Sequence, residues 1–154
     1  MSASYKADFS GINLIKKRLK ENYSVRVGVL GDKNQRDGEL SNSDIGLKHE
    51  LGVPDENIPR RSFLRDPLTK NKKQLIKTFE SDLAKEAIEN FDFKLLYKLI
   101  GIQAEAIIQE AFATRGFGEW LPNSPLTVKL KGSDSPLIDT AELRKSISSE
   151  VVSK

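Results

Sequence analysis

The chain has 154 residues, 38% hydrophobic and 31% charged, with seven Phe; this balance predicts one soluble globular domain over 1–154 and excludes a disordered polyelectrolyte. Its 25 Lys and Arg against 22 Asp and Glu leave a formal charge of +3, short of the dense basic excess of a dedicated nucleic-acid binder. The absence of cysteine excludes disulfides, thiolate metal sites and cysteine nucleophiles, and is compatible with assembly in a reducing cytosol.

The opening "MSASYKADFSGINL" has no apolar core of signal-peptide length. Over residues 10–22, Ile12, Ile15 and Leu19 share one helical face opposite lysines, which predicts a short amphipathic helix. "SVRVGVL" alternates, with Val25, Val27 and Val29 on one side, and predicts a half-buried strand over 24–30. Residues 31–43, "GDKNQRDGELSNS", have almost nothing to bury and predict a long mobile loop. "SDIGLKHELG" predicts a short helix capped by Ser43 and ended by Gly52.

Leu68, Leu75, Ile76, Phe79 and Leu83 follow helical spacing, so one helix is expected over 68–90. Asp92 is a cap for a second helix to about residue 114, roughly 30 Å long, and the two form a helical hairpin. Charged residues interrupt Phe91–Ala113, so no segment is expected to span a membrane. Residues 60–77 are heavily basic, whereas 80–92 are mostly acidic. From Arg115 the chain is turn-rich, with one helical turn from Ser124-Pro125 to Gly132. Asp139 with Glu142 resembles a capping box whose helix turns Leu143 and Ile147 inward. "SSEVVSK" predicts a final strand over 148–154 that pairs with 25–30. The expected class is α+β: a small sheet packed with a long helical hairpin and short helices.

The stretch "KHELGVPDENIPRRSFLRD", Lys48 to Asp66, holds the only histidine. His49 and Glu50 are adjacent, so on a helix they point about 100° apart. No HExxH pair and no GxSxG elbow accompanies them. A packed or interface histidine is the preferred reading, and catalysis is not supported. Arg60, Arg61 and Arg65 have the guanidinium fork that suits oxyanions, but pairing with carboxylates in this or a neighbouring chain is more economical. In extended chain Arg60 and Arg61 face opposite ways. The glycines of "RGFGEW" read as turn residues before Trp120, and Trp120 reads as buried against the irregular C-terminal segment.

Three islands, in order, carry a resemblance: the strand "VRVGVL", "IGLKHELGVPDENIPRRSFLR" (45–65) and "WLPNSPLTVKLKGSDSPLIDTAELRKSI" (120–147). Their combination resembles the tail-completion and neck-protein family of long-tailed bacteriophages, over roughly residues 24–150. The matching positions are Gly46, His49, Glu50, Gly52, Pro59, Arg61, Phe63 and Arg65 in the second island. In the third they are Trp120, Pro122, Thr127, Lys131, Gly132, Pro136, Leu137, Asp139, Thr140, Leu143, Ser146 and Ile147. One departure is Ala141, where the family pattern usually has glycine; alanine reads as compatible with a helix start.

The resemblance implies a structural virion protein, not an enzyme, with no cofactor and no metal. It implies a ring of copies, commonly sixfold, that completes or terminates the tail and docks it to the head connector. Implied partners are further copies, the tail tube protein and the connector or stopper, with DNA passing the channel without sequence-specific binding. The implied place is the virion, and the host cytoplasm during assembly. The candidate contact residues are His49, Glu50, Arg60, Arg61, Phe63, Arg65, Trp120, Lys131 and Asp139. A head-to-tail ring needs two complementary surfaces: the 49–65 segment is a candidate for one, and the acidic end of the 68–90 helix for the other. Two alternatives stay open: a head-side stopper or connector subunit, and a small basic nucleic-acid-binding protein using Arg60, Arg61, Arg65, Lys70, Lys72 and Lys73.

Overall fold

A computed structural model describes residues 10–35, 39–137 and 141–153. Helix α1 (Ser10–Lys20) leads into strand β1 (Tyr23–Val29), followed by a 3-10 turn at Gly31–Asn34 and helix α2 (Asn42–Leu51). Helices α3 (Arg65–Lys70), α4 (Lys72–Lys77) and α5 (Asp82–Glu89) precede the long α6 (Phe93–Ala113). Helices α7 (Pro125–Lys131) and α8 (Glu142–Ser146) lead to strand β2 (Ile147–Ser153). The class is α+β, with β1 and β2 forming an antiparallel ribbon from Tyr23↔Ser153 to Val29↔Ile147.

The ribbon lies on α6, and the valine face of β1 turns inward as its alternation predicts. Val27 and Val29 pack on a core of Phe63, Ile108, Phe112, Leu143 and Ile147. Arg26 points out and pairs at 3.5 Å with Glu150, its register partner. Gly101 lets α6 approach this closely, because a Cβ there would lie 2.6 Å from Ser149 Oγ. A second cluster of Ala84, Ala87 and Leu96 joins α5 to α6. Asp92 caps α6 through Leu95 N at 3.0 Å, and Ser124 and Gly132 bound α7, both as expected. Among the described residues, no helix is long and apolar enough to cross a membrane.

Four expectations change. The helix predicted over 68–90 is broken twice. Asn71 turns its side chain back to Pro67 O at 2.9 Å, and Ser81 is extended, its hydroxyl capping α5 at Ala84 N. Short polar side chains that bond nearby backbone compete with helix continuation, and two of them defeat a row of correctly spaced apolar residues. Helix α2 is capped by Ser41, not Ser43. The Ser41 hydroxyl accepts from Asp44 N and donates to the Asp44 carboxylate, which also accepts from Ser41 N; these two bonds to the carboxylate hold it below its usual range.

The 31–43 segment, expected as one long loop, holds the 3-10 turn at Gly31–Asn34 and the start of α2 at Asn42. Buried Asn42 donates to Lys33 O and Gln35 O, and Ser43 N donates to Asn34 Oδ1 at 2.7 Å; residues 36–38 lie outside the described residues. Asp139, expected as a cap, also lies outside them, and helix α8 begins instead from Ala141.

Ala141 is the fourth correction. Its φ of 61° and ψ of 13° are left-handed, a conformation that costs an L-residue roughly 1–2 kcal/mol and glycine almost nothing. Glycine also enlarges the unfolded ensemble, which returns part of that gain. Ala141→Gly is therefore expected to stabilise the fold by about 0.5–1 kcal/mol, read as a higher midpoint in chemical denaturation. A lower midpoint would show that the left-handed turn is not strained.

Candidate functional site

The second and third sequence islands meet at one seam, and Glu50 on α2 is its centre. One carboxylate oxygen accepts from Ser62 Oγ at 2.6 Å and Arg65 N at 3.1 Å; the other accepts from Phe63 N at 2.9 Å and Leu64 N at 3.0 Å. Three of these donors are backbone N–H groups at the entry to α3, where a helix start leaves such groups without internal partners. A negative charge is favoured at that position because the backbone dipoles point their positive ends toward it. Ser62 Oγ in turn accepts from Asp66 N at 3.0 Å.

Arg61 continues the seam toward the third island. Its backbone N–H donates to His49 O at 2.7 Å. Its side chain donates through Nε to Leu121 O at 2.8 Å and through Nη2 to Pro122 O at 2.9 Å. The residue is only 5% exposed, and that burial pulls its guanidinium below the ordinary value. Trp120 closes the loop by donating from Nε1 to Ser62 O at 3.1 Å. Its ring meets Phe112 edge-on at 5.8 Å, and Phe112 meets Phe63 at 5.3 Å. Gly116 is required here. Its φ is 67°, and a Cβ would sit 2.2 Å from Trp120 Nε1.

The candidate residues therefore part into two groups. Glu50, Arg61, Phe63 and Trp120 converge, but their side chains are engaged inside this chain; Phe63 is 1% exposed. The expectation that Arg61 pairs with a carboxylate is corrected: carbonyl oxygens of the non-helical 121–122 segment take that place. Arg60 does pair with a carboxylate, forking onto both oxygens of Asp66 at 2.8 Å, and those bonds hold Asp66 below the usual carboxylate range. Arg60 and Arg61 face opposite ways, as extended backbone dictates. The side chain of Arg65 is exposed, and only its backbone N–H joins the seam. Asp139 and the side chain of Lys131 lie outside the described residues.

On the outer side of the seam runs a groove of about 760 Å³. His49, Ile45, Ile58, Leu121, Leu137 and Leu143 line it, so both islands contribute walls. Helix α7 borders it through Ser124 and Thr127 and leaves Leu126 and Leu130 open, the latter 79% exposed. Leu47 and Leu51 on α2 and Leu121 are exposed as well. Exposed apolar side chains gathered round a groove are the usual mark of a surface that meets another macromolecule. Asp66 and Ser62 are participants that the sequence reading missed. Asp66 lies six residues beyond Arg60 in the same short segment, a spacing that carried the only available signal.

Within this chain the seam ties α2, the 60–65 segment and the 120–122 segment together. Glu50 has both oxygens occupied by fixed donors, one of them the Ser62 hydroxyl. Among the described residues, no three His, Asp or Glu side chains gather as a metal site. No family model, curated protein or solved structure matches this chain.

Proposed function

We propose that this chain is a structural virion protein of the head–tail junction of a long-tailed bacteriophage. Copies form a ring that completes or terminates the tail and docks it to the head connector around the DNA channel. The observation that carries the reading is the convergence of "HELG......PRRSFLR" and "WLPNSPL" on one braced seam beside an apolar-rimmed groove. A pattern that serves to hold two segments rigid beside an open apolar surface fits a protein that acts by shape and contact. The mechanism is non-covalent: the seam fixes the groove walls, the groove rim meets a neighbour, and no bond is made or broken.

Disrupted particles separated into tails and filled heads test this directly. The chain is expected to travel with tails. Finding it on filled heads would favour the stopper reading, and finding it in neither fraction would overturn both. The nucleic-acid reading is weakened because Arg60 and Arg61 are occupied within the chain. Strong DNA binding by the isolated protein with a steep salt dependence would revive it.

A further inference from the structure

We infer that α1 of one copy docks on the α4–α5 face of a second copy, so that successive copies meet head to tail. The inference deepens the ring reading and rests on it only for closure into a circle. The acidic-apolar face needs a basic-apolar complement. Arg60 and Arg61 cannot supply it, since Asp66 and two carbonyl oxygens already hold them.

Helix α1 can. It carries Lys16, Lys17, Arg18 and Lys20 and no acidic residue, and none of its residues is buried. Ile12 and Leu19 fall on one stripe with Lys16 and Lys20 along its edge, and both leucine and isoleucine are more than half exposed. A stripe of this kind needs burial against something to hold its place. Within its own chain α1 is held by Arg18 Nη1 donating to Asn90 O at 2.5 Å, at the far end of α5 from Leu83.

The opposing face runs along α4, the 3-10 turn at Thr78–Glu80, and α5. Ile76 and Leu83 are more than half exposed and Phe79 is exposed between them, so among the described residues none covers this row fully. Lys72, Lys73 and Lys77 lie on α4, but residues 78–89 carry Glu80, Asp82, Glu86 and Glu89 against the single Lys85, so the acidic part of the face is the turn and α5 around Phe79 and Leu83. The α1 row is edged by lysines and the Phe79–Leu83 part of the other by carboxylates, a charge match of the kind that steers association. Because the two surfaces differ, the contact is heterologous and propagates to a ring or an open chain instead of stopping at a symmetric dimer.

The chain has no cysteine, so single thiols report the contact cleanly. Separately tagged Ile12→Cys and Leu83→Cys variants are mixed and treated with a bismaleimide, with Ile12→Cys plus Ile102→Cys as the control pair. All three positions are exposed. The expected result is a covalent dimer holding one copy of each variant, at several-fold the control yield. Adding Lys16→Glu and Lys20→Glu to the first copy should bring the yield to the control level. Glu80→Lys and Glu86→Lys in the second should then restore it. A yield no higher than control at the highest soluble concentration, or one indifferent to the charge reversals, overturns the contact. Capture of α1 by anionic vesicles or DNA without the Ile12–Leu83 link would also overturn it, in favour of a membrane or nucleic-acid anchor. Failure here leaves particle fractionation to decide the head–tail reading separately.

Discussion

Glu50→Ala is expected to lower the unfolding free energy by about 3–4 kcal/mol. Each hydrogen bond to a charged acceptor contributes roughly 1.5–3 kcal/mol, and unmet buried donors cost about as much again. Glu50 makes four such bonds, and water entering the vacated space offsets part of the sum. For a chain of this size the melting temperature should fall by roughly 10 °C. Glu50→Gln should lie between, since the amide keeps one acceptor but turns its NH2 toward a backbone N–H. Denaturant midpoints of the three proteins check the order. A change under about 1 kcal/mol for alanine would mean that the carboxylate is free for another task, including acid–base chemistry.

Arg61→Ala should cost about 3 kcal/mol, because it removes two charge-assisted hydrogen bonds to the Leu121 and Pro122 carbonyls together with a buried aliphatic stem. Arg61→Lys should recover only part of this, to a loss of about 1.5–2 kcal/mol, because an ammonium is a point donor and cannot reach two carbonyls in fixed fork geometry. The isolated chain is the right sample for both. If Arg61 served only a partner, its removal would leave the free chain as stable as before while weakening assembly. A loss of stability in the free chain is what separates the bracing role from the interface role.

Much of the architecture is legible because it rests on local periodicity and capping. Val25, Val27 and Val29 announce β1, Asp92 marks the start of α6, and Ser124-Pro125 with Gly132 bounds α7. What the sequence hides depends on competition or on distance. Apolar residues from Leu68 to Leu83 keep helical spacing, yet Asn71 and Ser81 bond their neighbours and split the run. Ala141 occupies a left-handed position that its side chain gives no hint of.

The seam was half visible. Its residues stand out by type, and the two islands by their order, but Arg61 takes backbone carbonyls as partners. A carbonyl belongs to every residue and leaves no signature. Glu50 likewise serves backbone N–H groups 13 to 15 positions away. Glu50, Arg60 and Arg61, which by residue type resemble an active site or an arginine contact surface, thus have their partners inside this chain.

The most direct measurement of the central claim is a reconstruction of the intact head–tail junction into which this fold is fitted. The account predicts a closed ring of copies between connector and tail tube, with the groove rim of α2 and α7 against neighbouring density and the Glu50 seam enclosed within each copy. A junction whose density is fully accounted for by other chains, with this protein absent from the collar, would contradict it.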